Sequence, residues 1–182
     1  MKEIRTEYVA DGEIYRRGLL ELVAGAQRHL WLATADLKDV YVTANRRGGM
    51  KPLLQVLAEL LGRGVEIRLI HAKEPGPNFR ADFDRWPVLA TGLERVLCPR
   101  MHFKCVVADC ERAYFGSANL TGAGMGAKSG GRRNFENGVL TNDPALVGPL
   151  VEHFDALWRG DRCADCRRKA FCTDGPAGEQ EA

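Results

Sequence analysis

Apolar positions recur every three to four residues over 13–28 (EIYRRGLLELVAGAQR), with Leu19, Leu22, Val23 and Ala26 on one side, and predict a helix. The run 29–36 (HLWLATAD) is short, apolar and closed by polar residues, so it reads as a buried strand. Residues 37–50 contain Asn45-Arg46-Arg47-Gly48-Gly49 and read as a loop. Residues 51–64 (KPLLQVLAELLGRG) are amphipathic at helical period, with Pro52 in the first turn and Gly62 and Gly64 at the end. Residues 65–72 (VEIRLIHA) return to strand character. Strand–helix–strand order favours parallel pairing and an α/β class.

Prolines and a glycine make 74–79 a loop, and a short helix is predicted over 79–87. Residues 93–98 read as a strand. Two further strands, 102–109 and 111–117, flank Asp109-Cys110-Glu111 and predict a hairpin. Residues 116–134 are rich in Gly and Ser and read as a loop with a short helix; 134–142 is another strand. Asp143-Pro144 supplies an N-cap and a first-turn proline for a helix. Its apolar positions (Leu146, Val147, Leu150, Val151, Phe154, Leu157, Trp158) carry it to about residue 159. Beyond Arg162 the chain turns to cysteines and basic residues, then to a polar tail predicted to be disordered.

The chain has 182 residues, enough for one domain with a substantial core. Its apolar content of 45% and charged content of 27% exclude a disordered chain or a long coiled coil. A formal charge of +2 says nothing about a polyanionic partner, although residues 128–133 (KSGGRR) and 167–169 are locally basic. No stretch has the length of a membrane span, and the polar N-terminus lacks the apolar core of a secretory signal. A cytoplasmic location with reduced thiols is expected. Six cysteines then argue for metal or buried thiols before disulfides.

The stretch MHFKCVVADC (101–110) carries the chemistry. In a strand, residues two apart share a face, so His102 and Lys104 point the same way. Asp109 has opposite parity and lies at the far end. Downstream, Gly116-Ser117-Ala118-Asn119 ends the paired strand, and Glu136 falls at the start of a third. A neutral imidazole can attack phosphorus and form a covalent intermediate. A lysine ammonium and an asparagine amide can bind the non-bridging oxygens. A carboxylate can hold a histidine in the right tautomer.

His102-x-Lys104-x4-Asp109, then Gly116-Ser117-x-Asn119 and Glu136, resembles the signature of the phospholipase D superfamily. The core of the resemblance spans 102–136, and the order of elements extends it to 1–160. It implies a mixed, mostly parallel central sheet flanked by helices, with residues 161–182 as a small Cys-rich tail outside the catalytic domain. It implies His102 as the nucleophile that becomes phosphohistidine, and Lys104 and Asn119 as phosphate ligands. Ser117 would position the loop, Glu136 would orient a histidine, and Asp109 would serve the catalytic motif structurally, capping the turn or pairing with a basic side chain. Catalysis would need no cofactor.

The family's site uses two histidines, and larger members carry the motif twice. Here His71-Ala-Lys73 has no aspartate at position 78 and no Gly-Ser-x-Asn after it. It is not a second copy; His71 and Lys73 are expected at the C-terminal rim of the sheet, where they could touch substrate. A single motif implies a homodimer with two His102 side chains facing each other. Short single-motif members resemble metal-independent endonucleases, so nucleic acid is the expected substrate. Lys128, Arg132 and Arg133 would bind flanking phosphates. No aromatic stacking platform is legible. The alternatives are a phospholipase or phosphatidyl transferase, and a silent nucleic-acid-binding module. In the tail, Cys163-x2-Cys166-x5-Cys172, with Cys98 as fourth ligand, suggests a structural zinc, with an iron–sulfur cluster as the second choice.

Overall fold

The computed structural model describes residues 3–38, 40–43 and 50–172. Strand β1 (Thr6–Ala10) leads into a helical stretch wound as a π-helix over Ile14–Glu21 and as α-helix α1 over Leu22–Gly25. Strand β2 (His29–Thr34) follows, then a two-stranded ribbon of β3 (Tyr41–Thr43) and β4 (Met50–Pro52). Helix α2 (Leu53–Leu61), strand β5 (Glu66–His71), helices α3 (Pro77–Asp84) and α4 (Pro87–Gly92) and strand β6 (Leu93–Leu97) complete the first half. The second half is β7 (Lys104–Ala108), β8 (Arg112–Gly116), β9 (Asn137–Thr141) and α5 (Pro144–Trp158).

One seven-stranded sheet is ordered β1-β9-β8-β7-β2-β5-β6. Strands β1, β2, β5, β6 and β8 run one way, β7 and β9 the other. Parallel neighbours are confined to β2–β5–β6, where helices make the crossovers; the other four pairs are antiparallel, with a hairpin joining β7 to β8.

Each inner strand is buried on both faces. In β2, Leu30 and Leu32 enter the larger core beneath α1, α2 and α3, while Trp31 and Ala33 enter the second core under α5. This explains why the strand reads as a continuous apolar run. On the α5 side, Phe154 stacks on Trp31 at 5.2 Å and on Trp158 at 6.1 Å. The Arg68 guanidinium covers both indoles, 5.4 Å and 5.3 Å from the ring centroids. Asp143 caps α5 by accepting from the Ala145 N–H at 2.9 Å, as its sequence signature predicts.

Several elements differ from the sequence reading, among them β3 (Tyr41–Thr43), which falls inside the stretch 37–50 read as a loop. Strand β1 was not anticipated, and pairs along its whole length with β9 at the sheet edge. The single helix over 79–87 is two helices, because Pro87 cannot continue α3 and instead begins α4. Pro52 sits just outside α2, closing β4. The loop at 45–49 and the tail from 173 lie outside the described residues.

Candidate active site

The strand register gathers the motif at one edge of the sheet. Strand β2 ends there, with Ala33 opposite Cys105 of antiparallel β7. Lys104, at the start of β7, faces Gly116 at the end of β8, and Gly116 faces Gly138 of β9. The C-terminal ends of β2, β5, β6 and β8 therefore meet the N-terminal ends of β7 and β9 on one rim. His102, Lys104, Ser117, Asn119 and Glu136 all lie at that rim.

His102 stands exposed just before β7. Lys104 is only 7% exposed; its ammonium donates to the backbone oxygen of His102 and lies 3.4 Å from Nδ1 of the same imidazole. Burial lowers the lysine pKa below its ordinary value, and the negative charge of Glu136 partly offsets this. The pair is thus a backbone-clamped cation beside an accessible ring.

Ser117 Oγ donates to Glu136 Oε2 and accepts from the Asn137 N–H at 3.0 Å. Glu136 Oε1 accepts from Asn134 Nδ2 at 3.0 Å. The backbone of Glu136 is held by Asp11, whose Oδ1 accepts its N–H at 3.2 Å and whose own N–H donates to its carbonyl at 3.0 Å. Gly116 makes the approach of β8 to β9 possible: a Cβ there would collide with the Asn137 carbonyl and meet Gly138 Cα at 2.6 Å.

Asn119 is fixed by the end of β2. Its Oδ1 accepts from the backbone N–H groups of Ala35 and Asp36, both at 3.1 Å. Two fixed donors settle which end of the amide is oxygen, so the NH2 end is the one offered to a ligand. Thr34 Oγ1 accepts from the Leu120 N–H at 3.0 Å, which locks the following turn.

Asp109 lies at the opposite end of β7. Its Oδ1 accepts from the N–H groups of Arg28 (2.7 Å), Gln27 (3.0 Å) and His29 (3.1 Å). Burial would raise its pKa, but these backbone donors together outweigh that and hold the carboxyl below its usual range. It tethers the β7–β8 turn to the start of β2 and does not join the reactive group. A concavity of about 850 Å³ is also at that end, lined by Asp109, Arg112 and Asn142.

His71 ends β5 on the reactive rim, but its ring is 0% exposed and its Nδ1 lies 2.7 Å from the Lys73 carbonyl. Lys73 itself is exposed. Lys128 and Arg132 are exposed on the segment between Asn119 and Glu136, and Arg133 is half-buried against Gly12. In the tail, the backbone N–H of Arg168 and then the Arg100 guanidinium hold the Cys166 thiol below its usual pKa. Cys98 and Cys163 interact electrostatically with the same guanidinium. Among the described residues, no group of three or more His, Cys, Asp or Glu side chains is placed to hold a metal ion.

The sequence reading missed Asp11, Thr34 and Asn134, which hold the reactive groups rather than touch substrate. Only Asn134, two residues before Glu136, stood inside the motif region.

Comparison with known proteins agrees with this geometry. The family described as "Cardiolipin synthase, PLD-like domain" matches residues 19–158. A mitochondrial cardiolipin hydrolase of Chlamydomonas reinhardtii is 27% identical over 104 residues, which is 57% of this chain and 44% of that protein. The chain thus matches less than half the length of that curated relative. Among solved structures, Nuc, a phospholipase D family member from Salmonella typhimurium, superposes with a TM-score of 0.62 at 19% identity, covering 86% of this chain and 95% of that one. NucT from Helicobacter pylori superposes at 0.60 and 15%, covering 84% and 94%. The chain belongs to the phospholipase D-like family.

Proposed function

We propose that the chain is a phosphodiesterase that cleaves nucleic acid through a phosphohistidine at His102, in a site completed by a second copy. The observation that carries this reading is the rim itself: an exposed imidazole, a clamped lysine ammonium beside it, and an asparagine amide whose donor end is pre-set.

In the first step, a ring nitrogen of His102 attacks phosphorus and the bond to the leaving oxygen breaks. The leaving oxygen takes a proton from the second copy's His102. Lys104 and Asn119 donate to the non-bridging oxygens, where charge develops. Water then attacks the phosphohistidine, giving its proton to that second histidine, and the P–N bond breaks. Glu136, already holding Ser117 and Asn134, would orient the second copy's histidine.

One feature supports nucleic acid. Exposed Lys128 and Arg132 lie on the segment between Asn119 and Glu136, suited to the phosphates on either side of the scissile one. A second reading, hydrolysis or transfer on a phospholipid, is favoured by the cardiolipin hydrolase relative. Among the described residues no helix is long and apolar enough to cross a membrane.

The test is cleavage in excess EDTA by wild type and His102→Ala. Plasmid, single-stranded DNA, RNA, cardiolipin vesicles and bis(p-nitrophenyl) phosphate would each be offered. Cutting of a nucleic acid by wild type alone is expected. Turnover of vesicles and reporter with no polymer cut would establish the lipid reading instead.

A further inference from the structure

We propose that Phe135 is a stacking platform for a nucleobase beside the scissile phosphate, and that the substrate is therefore single-stranded. This rests on the nucleic-acid reading above and deepens it. The sequence offered no aromatic platform; the fold supplies one.

Phe135 is 95% exposed, the highest value among the exposed large apolar side chains of the described residues. Its backbone is pinned on both sides. The Asn134 N–H donates to the Ala123 carbonyl at 3.1 Å, and the Asn134 side chain reaches Glu136 at 3.0 Å. Glu136 is tied to Asp11 through both its N–H and its carbonyl. A held backbone presents the ring in a fixed place, which reduces the ordering cost of binding.

Phe135 directly precedes Glu136, whose carboxylate bonds Ser117, so its backbone enters the rim at the start of β9. On its other side come Arg133 and Arg132. The order along the chain is cation, cation, amide, ring, carboxylate. Single-strand binders combine these two parts: basic groups that follow the backbone, and an aromatic face for an unstacked base. In a duplex the base faces are already stacked, so the ring has no partner there.

A lipid surface fits less well. Interfacial binding needs a broad apolar face, and residues 128–134 (KSGGRRN) bring no second apolar side chain to the ring.

The experiment compares wild type with Phe135→Ala, Phe135→Leu and Phe135→Trp. It reads kcat/KM on a single-stranded oligonucleotide, its duplex and bis(p-nitrophenyl) phosphate, with thermal melting as a fold check. Phe135→Ala is expected to lose about fivefold to a hundredfold more on the single strand than on the reporter. Trp should restore the loss and Leu should not. A 2-aminopurine beside the cleavage site should be quenched on binding to His102→Ala protein, and not when Phe135→Ala is added. Equal losses on single strand and reporter, rescue by Leu, loss of binding to anionic vesicles, or a changed oligomeric state would each overturn the proposal. If wild type cuts no polymer, the nucleic-acid reading itself falls. If wild type cuts and Phe135→Ala cuts equally well, only the platform falls.

Discussion

Lys104 is a cation in a place that penalises charge. It is nearly buried, and its pKa is lowered by desolvation with only partial relief from Glu136. The folded chain therefore holds this proton less tightly than the unfolded chain does. Below the lowered pKa the charge costs stability, and that cost disappears as pH rises toward the ordinary lysine value. In the proposed mechanism Lys104 acts in its charged form, binding phosphate oxygens. We expect kcat/KM on a diester reporter to fall on the alkaline side at a pH below the ordinary lysine range. Lys104→Arg, which stays protonated, should flatten that limb at a lower overall rate. Lys104→Met should abolish turnover while raising the melting temperature at neutral pH, because it removes a buried charge of similar volume. An unshifted alkaline limb in Lys104→Arg would show that another group titrates there.

At the scale of elements, the hairpin β7–β8 carries the motif at one end and its tether at the other. Asp109 takes a left-handed conformation (φ 57°) in the turn, as does Cys110 (φ 56°), and this pair of positive angles is what lets the hairpin close. The Asp109 carboxylate then satisfies three backbone N–H groups of the 27–29 segment. Asp109→Ala should cost about 2–3 kcal/mol, since it strands donors that faced a charged acceptor. Because the folded pKa is depressed, this contribution is present above the unfolded value and lost as pH falls through the folded one. Wild type and variant should therefore converge in acid denaturation, and the folded variant should keep its turnover number on a reporter. A loss of turnover as deep as that of His102→Ala would place Asp109 in the chemistry. Much of this hairpin was legible beforehand. Fixed spacing pointed to His102, Lys104, Ser117, Asn119 and Glu136, and the strand reading was met only for Lys104, since the other four lie just outside β7, β8 and β9. What could not be read were partners distant in sequence. Asp11 meets Glu136 across 125 positions, and β1 acquires strand identity only by pairing with β9. Phe135 looked like one more apolar strand residue; its exposure follows from how Asn134 and Glu136 are tied on either side.

At the scale of the whole molecule, the rim holds one copy of each reactive group. His102 is exposed, and no second His-x-Lys motif with its aspartate and Gly-Ser-x-Asn occurs in the 182-residue sequence. In the proposed dimer, a two-fold axis brings this surface onto its own copy. One histidine would then attack while the other serves the leaving group, so each active unit would need two intact His102 side chains. Mixing with an inactive subunit distinguishes this from a monomer. If wild type and His102→Ala are combined in equal amounts and allowed to exchange, only about a quarter of random dimers carry two histidines, whereas half of the chains remain wild type. Activity should fall to about a quarter of that of the same total wild-type chain concentration if heterodimers are silent. An independent monomer would retain about half. Sedimentation velocity on the same mixture checks that His102→Ala still assembles. A value near one half with dimers present would mean that each subunit works alone, and the acid for the leaving group would then have to be sought within the chain, with His71 the nearest histidine on the same rim.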